Sequence, residues 1–149
     1  MSFCYKYPRP AITVDAVVFA EKPEPKVLLI QRKNPPFQGQ WAFPGGFVDM
    51  SETVEDAVKR ELFEETSLLV ENLQQFKTYS RVDRDPRGRA ISVVFTAKLK
   101  EVAEVLAQDD AVAVDWFAVK ELPPLAFDHR EILMEVLGAF SILKCNKKG

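Results

Sequence analysis

Residues Gly45 to Leu68 read GGFVDMSETVEDAVKRELFEETSL, and three features coincide in them. A Gly-Gly pair follows Trp41-Ala42-Phe43-Pro44 and reads as a turn. A helical pattern follows, and Glu61, Glu64 and Glu65 cluster near its end. At about 100° per residue, a helix holds Glu61 and Glu65 within about 40° of each other and Glu64 about 60° from Glu61. Val54, Ala57 and Val58 share that arc, whereas Glu55, Asp56 and Lys59 fall on the opposite side. Two carboxylates therefore lie in line with the core-facing stripe, where carboxylates are rare unless paired or bound to a metal. An ordinary solvated face would group them with Lys59. The helix is expected to start at Thr53, with Asp56 three residues on as a capping-box-like partner.

Upstream, Ala11 to Ala20 is β-branched and apolar and reads as a buried strand, with Asp15 its odd residue, at an edge or facing a pocket. Val27 to Arg32 reads as a second strand and forms a hairpin with the first. Asn34 to Gln40 (NPPFQGQ) is interrupted by prolines and a glycine, and Trp41 to Phe43 is a short strand, resumed by Phe47-Val48 after the turn. Downstream, strands are expected around Leu68 to Ser80, Ala90 to Leu99 and Ala111 to Phe117, with Glu101 to Ala107 ambiguous between strand end and short helix. Arg81 to Arg89 (RVDRDPRGR) is a polar loop. Asp128 is the expected N-cap of a second helix, with Glu131 at N3 and Ile132, Leu133, Val136, Leu137 and Phe140 on one face. Strands interspersed with two amphipathic helices require a helix-covered sheet.

The 149 residues suit one domain, 1–149, with a sizeable core, and their formal net charge of −2 supplies no basic footprint for nucleic acid. Lys144 to Lys148 is read as a solubilising tail. Cys4 and Cys145 form neither a metal spacing nor a disulfide framework, which suits a reducing cytoplasm. No stretch has the length of a membrane span, and MSFCYKYPRP lacks the apolar run of a secretory signal. Clustered carboxylates beside a Gly-Gly pair suit Mg²⁺, with Mn²⁺ as an alternative, and the lack of a His or Cys cluster argues against zinc.

The Gly45 to Leu68 stretch resembles the Nudix box: Gly46, Glu52, Arg60, Glu61, Leu62, Glu64, Glu65 and Leu68 all fall in its pattern. Ser67 departs from it, standing where the family has Gly, and is expected to alter the helix end while sparing the chemistry. The resemblance implies an α+β Nudix fold, a mixed β-sheet sandwiched between α-helices (α/β/α). It implies hydrolysis of a nucleoside diphosphate linked to another group, X. Glu61 and Glu65 become the main metal ligands, Glu64 assists, the Gly45 carbonyl is a further ligand, and Glu52 pairs with Arg60 to hold the loop.

RDPRGR and Leu125 to His129 (LAFDH) resemble the ADP-ribose pyrophosphatase branch, the second also a group of ADP-ribose-sensing regulators. Pro86 stands close to that branch's proline. Four arginines in nine residues suit phosphate contacts, so Arg81, Arg84, Arg87 and Arg89 are substrate-binding candidates, and Asp83 or Asp85 suits ribose hydroxyls. The plainer reading is a solvated loop whose charges pair internally. Arg32, Phe37 (as a base-stacking aromatic) and His129 (near the substrate, outside proton transfer) complete the set, while Trp41, Phe43 and Trp116 read as core. Glu64, Asp109 and Asp110 all remain candidates for the general base. ADP-ribose, yielding AMP and ribose 5-phosphate, is the expected substrate. Nucleotide sugars, dinucleoside polyphosphates and damaged nucleoside triphosphates remain alternatives, as does a non-catalytic sensor, although the sensing regulators carry a DNA-binding module for which this length leaves no room. By analogy with the branch, the protein is expected to be a cytoplasmic homodimer without nucleic-acid or membrane partners.

Overall fold

The computed structural model describes residues 2–142; the readings placed on Cys145 and on Lys144 to Lys148 lie outside the described residues. The order is β1 (Ala11–Lys22), β2 (Lys26–Arg32), β3 (Trp41–Ala42), β4 (Gly45–Phe47), α1 (Val54–Thr66), β5 (Gln74–Tyr79), β6 (Ala90–Glu101), β7 (Ala111–Ala118) and α2 (His129–Ala139). The sheet runs β3-β2-β1-β6-β5, with β4 also on β1 and β7 also on β2.

Strand alternation explains the layering. On β1, Val14, Ala16 and Val18 face one side and pack with Ala57, Val58 and Leu62 of α1. Val17 and Phe19 face the other and pack with Ile132, Leu133, Val136 and Leu137 of α2. A strand covered on both faces must be apolar at nearly every position, as β1 is. Each such Val or Leu, fully buried, stabilises the fold by about 1.5–3 kcal/mol before the cost of ordering the chain.

The central pairing is parallel, β1 with β6, from Ala11 opposite Ala90 to Lys22 opposite Glu101. Along its other edge β1 changes partner. Its first half pairs antiparallel with β4 (Asp15 opposite Gly45), and its end pairs with β2 (Phe19 opposite Val27). The sheet opens where β1 leaves one partner for the other, and Asp15 stands there. It occupies a pocket wall, not an edge.

Several local expectations are corrected. Gly45 and Gly46 form no turn; they are the start of β4. A Cβ at Gly45 would collide with the Val14 carbonyl, and one at Gly46 would lie 2.5 Å from Glu61 Oε1, so both glycines serve close approach. Ser67 adopts the left-handed conformation (φ 62°, ψ 10°) that the family's glycine would provide, and its N–H donates to the Phe63 carbonyl at 2.8 Å. The helix end is therefore unaltered, although an L-residue there carries about 1–2 kcal/mol of backbone strain. Thr53 caps α1 as expected, its Oγ1 accepting from the Asp56 N–H at 3.1 Å. Asp128 occupies the N-cap position of α2 but makes no capping hydrogen bond, because its carboxylate is taken by Arg84. Phe140, assigned to the apolar face of α2, is 41% exposed. The fifth strand is limited to Gln74–Tyr79, and Val102 to Gln108 has no regular structure. Trp116 is half-buried against the α1-side core, its Nε1–H donating to the Ala103 carbonyl.

Candidate active site

A cavity of about 750 Å³ lies where the sheet opens, within the range of small-molecule sites. Its walls come from β1 (Thr13, Asp15), the end of β2 (Arg32), β4 (Gly45 to Phe47), the last turn of α1 (Glu61, Glu64, Glu65), the 81–89 loop (Arg84, Asp85, Arg87), Asp109 and Asp110, and the start of α2 (Phe127, His129). Carboxylates and arginines thus line one space.

Arg60 organises the acidic wall. Its Nε and Nη2 bond both oxygens of Glu52 (2.9 and 2.6 Å), and Nη1 bonds Glu61 Oε1 (2.9 Å) and Glu64 Oε2 (3.1 Å). Nη2 also donates to the Phe47 carbonyl at 3.2 Å, which ties β4 to the helix. The Glu52–Arg60 pairing read from sequence is present, and the Arg60 hydrogen bond holds Glu52 down at about 2. Glu52 also accepts from the Asp49 N–H, closing the loop before α1.

Glu65 is buried, and its Oε1 accepts from the Gly45 N–H at 3.2 Å. Burial pushes the Glu65 carboxyl well above its ordinary value and the Glu61 charge raises it further, with the Gly45 N–H pulling partly back. Burial also raises Glu61, against the opposing pull of Arg60. Two crowded carboxylates that ionise reluctantly are stabilised by an added cation. Among the described residues no three acidic, His or Cys side chains already surround one point; Glu61 and Glu64 are turned onto Arg60 instead. The donors nevertheless fit a hard divalent ion. They are all oxygens, they carry more negative charge than Arg60 neutralises, and Gly46 leaves the Glu61 carboxylate uncovered on its β4 side.

The arginine loop divides. Arg84 is buried and bonds Asp128 through both ends of its fork, at 2.9 and 2.7 Å. Arg87 bonds Asp85 and lies 5.1 Å from the Phe47 ring centroid and 5.3 Å from that of Phe127. Both border the cavity, as does Arg32, whose guanidinium is 4.9 Å from the Phe127 ring. Arg81, Asp83 and Arg89 do not: Arg81 pairs with Asp83 and Glu131 on the exposed surface, and Arg89 reaches the Arg81 carbonyl. Phe37 packs edge-on behind Phe127 (4.9 Å between ring centroids) and does not line the cavity. For these four residues the solvated or packed reading describes the structure better.

His129 is buried, stacked on Phe43 at 4.5 Å, with its Nδ1 accepting the Phe43 N–H at 3.1 Å. Burial pushes its pKa down, although Asp15 and Asp128 oppose this. Sequence reasoning left Asp15 open between an edge and a pocket, and it singled out neither Phe127, a further wall residue, nor Ser92, which holds Asp15 from β6 without lining the cavity. Asp15 carried a usable signal, a lone carboxylate in an apolar strand, and Phe127 lies inside LAFDH. Ser92 carried none.

A helix-end carboxylate cluster sharing a cavity of this size with arginines defines a phosphate-handling, cation-assisted site as a class. The chain belongs to the NUDIX domain family, whose profile matches residues 9–136. It is 45% identical over 131 residues to the ADP-ribose pyrophosphatase of Methanocaldococcus jannaschii, covering 88% of this chain and 75% of that protein. It is 32% identical over 134 residues to the ADPR responsive transcriptional repressor NtrR of Acinetobacter baylyi, covering 87% of this chain but only 54% of the repressor. The fold superposes on the NUDIX domain of Shewanella oneidensis NrtR complexed with ADP ribose with a TM-score of 0.85, at 34% identity and 90% coverage of each chain. The mixed sheet between two helices is thus the Nudix fold.

Proposed function

We propose that the protein is a Mg²⁺- or Mn²⁺-dependent hydrolase of a nucleoside diphosphate linked to another group, acting on ADP-ribose to give AMP and ribose 5-phosphate. The observation that carries this is the set Glu61, Glu64 and Glu65 lining one cavity together with Arg32, Arg87 and the buried Arg84. The similarity to the M. jannaschii ADP-ribose pyrophosphatase and to an ADP-ribose-bound domain supports the choice of substrate.

Glu61 and Glu65 would hold the ion in this reading, with Glu64 and the Gly45 carbonyl assisting. The chemistry supplied by a divalent ion bound there would be neutralisation of phosphate oxygens and a lowered pKa of bound water. Arg87 and Arg32 meet the diphosphate from the rim, their guanidinium groups held beside the Phe127 ring. Arg84 supports the same wall from inside through Asp128. Glu64, Asp109 and Asp110 all border the cavity and are the candidates for receiving the proton of the attacking water. A homodimer in the cytoplasm, built from a single 1–149 domain, belongs to the same reading, and light scattering of the purified chain tests the dimer.

Incubation with ADP-ribose and Mg²⁺, followed by chromatography, is expected to yield AMP; a panel of nucleotide sugars, dinucleoside polyphosphates and nucleoside triphosphates ranks the alternatives by kcat/KM. Absence of AMP sinks the proposal. The similarity to a transcriptional repressor favours a second reading, a ligand sensor. The intact carboxylate set weighs against it, and ADP-ribose binding without turnover is the result that selects it.

A further inference from the structure

We infer that Asp15 and His129 form a two-point clamp for a sugar hydroxyl adjoining the diphosphate, which makes the site selective for a hydroxylated sugar at that place. The inference rests on the diphosphate reading above.

Asp15 is the one charged residue between Ala11 and Ala20, and it is buried. Its Oδ2 accepts the Ser92 hydroxyl from the neighbouring parallel strand, which fixes the carboxylate plane. Its Oδ1 points to His129, with Nε2 3.6 Å away. That distance is too long for a direct hydrogen bond. The His129 ring cannot turn to shorten it, being stacked on Phe43 and anchored through Nδ1 by the Phe43 N–H. Because Nδ1 accepts, the neutral ring carries its proton on Nε2. Among the described residues neither Asp15 Oδ1 nor His129 Nε2 has a protein hydrogen-bond partner, yet no buried side-chain polar atom is left without one. Both atoms therefore open onto the cavity whose wall they form.

A fixed N–H donor beside a fixed carboxylate acceptor suits a group that accepts one hydrogen bond and donates another, which a hydroxyl does. A phosphate oxygen accepts only and is repelled by Asp15. A nucleobase edge also offers a donor–acceptor pair, but position disfavours it. A Cβ built on Gly45 would lie 2.6 Å from Asp15 Oδ1, and the Gly45 N–H bonds Glu65. Asp15 thus adjoins the carboxylate wall where the diphosphate is held, the place of a sugar next to that diphosphate; a base lies one sugar further away. Besides colliding with the Val14 carbonyl, a Cβ at position 45 would cover the Asp15 oxygen that faces the ligand.

The test is calorimetric titration in EDTA, so that no turnover is required, of wild type, Asp15→Ala and Asp15→Asn. The ligands are ADP-ribose, the n-pentyl ester of ADP (no hydroxyls on the linked group), the 2′,3′-dideoxy-adenosine form of ADP-ribose, and inosine diphosphate ribose. Wild type is expected to bind ADP-ribose at least about 10-fold more tightly than one of the two hydroxyl-deficient ligands, which identifies the sugar that is read. Asp15→Ala is expected to shrink that ratio to less than about 3-fold, with Asp15→Asn intermediate because the amide retains an acceptor. Thermal melting verifies that each variant is folded, and Asp15→Asn serves alone if the alanine variant is not. Equal weakening of all ligands, no discrimination by wild type, discrimination lost only for the inosine ligand, or no binding at all overturns the clamp. So does a fall in Mn²⁺ affinity as large as that of Glu65→Gln, which would make Asp15 a metal ligand. Discrimination that persists in a protein releasing no AMP supports the clamp and removes the hydrolytic reading instead.

Discussion

The last turn of α1 and the 81–89 loop are both dense in charge, and they deploy it differently. On α1, one guanidinium bonds Glu52, Glu61 and Glu64, and Glu65 is tied to β4 through Gly45, so every box glutamate is engaged at the cavity or the loop beside it. In the loop, Arg81 and Arg89 remain on the surface, Arg84 is buried on Asp128, and only Arg87 stands at the rim with its fork turned to Asp85. A helix fixes the direction of each side chain by its number in the sequence. A loop does not, so charge density there says little about where charge points. The residues with most influence on the site are those whose direction the backbone dictates.

That contrast can be broken in three ways. Glu65→Gln removes a carboxylate held by β4 and is expected to lower kcat/KM for ADP-ribose by more than about 100-fold with Mg²⁺ present, beyond the effect typical of residues that merely support a ligand. A loss below 10-fold would mean that the α1 cluster is structural. Within the loop, Arg84→Ala leaves Asp128 buried without its partner and is expected to cost about 3–5 kcal/mol in urea denaturation. Arg81→Ala, which breaks exposed pairs, is expected to cost under about 1 kcal/mol and to leave turnover within about 3-fold. Equal costs would erase the distinction between the buried and exposed arginines.

The third test concerns pH. Burial lowers the His129 pKa from 6.5, so below that value the unfolded chain binds a proton that the folded chain refuses. Stability is then greatest above about pH 6.5 and falls as pH drops through it, at no more than about 1.4 kcal/mol per pH unit for one group. His129→Asn, whose amide oxygen can still accept from Phe43, is expected to flatten the decline between pH 6.5 and 5. An unchanged slope would show that another group titrates there.

The helix-borne part of the site was legible because periodicity encodes angle: Glu61 and Glu65 fall beside Ala57 and Val58 in the sequence and in the fold. The Glu52–Arg60 pair was equally legible from the box. The Gly-Gly pair was misread, because glycine more often marks a turn than a close crossing, and only the strand beneath it reveals the crowding at Val14 and Glu61. Asp128 was read as a cap, since a local rule cannot know that an arginine 44 positions away will claim its carboxylate. Ser67 was expected to disturb the helix end, yet it adopts the left-handed conformation and its N–H still closes on the Phe63 carbonyl. The order of strands, and with it Ser92 beside Asp15, depends on pairings that no local pattern records.

The parallel pairing of β1 with β6 has a consequence for how the site comes into being. Asp15 and its hydroxyl partner are 77 positions apart, and every residue of the box lies between them. A chain growing from the ribosome therefore carries the whole signature, glutamates included, well before it owns β6, the loop arginines or His129. Closing so long a span is slow compared with forming α1. Fragments ending near Ser80 would display the complete family motif and be unable to bind a nucleotide. Competence arrives late, once β6 has joined β1 and the chain beyond it has brought His129 to Asp15.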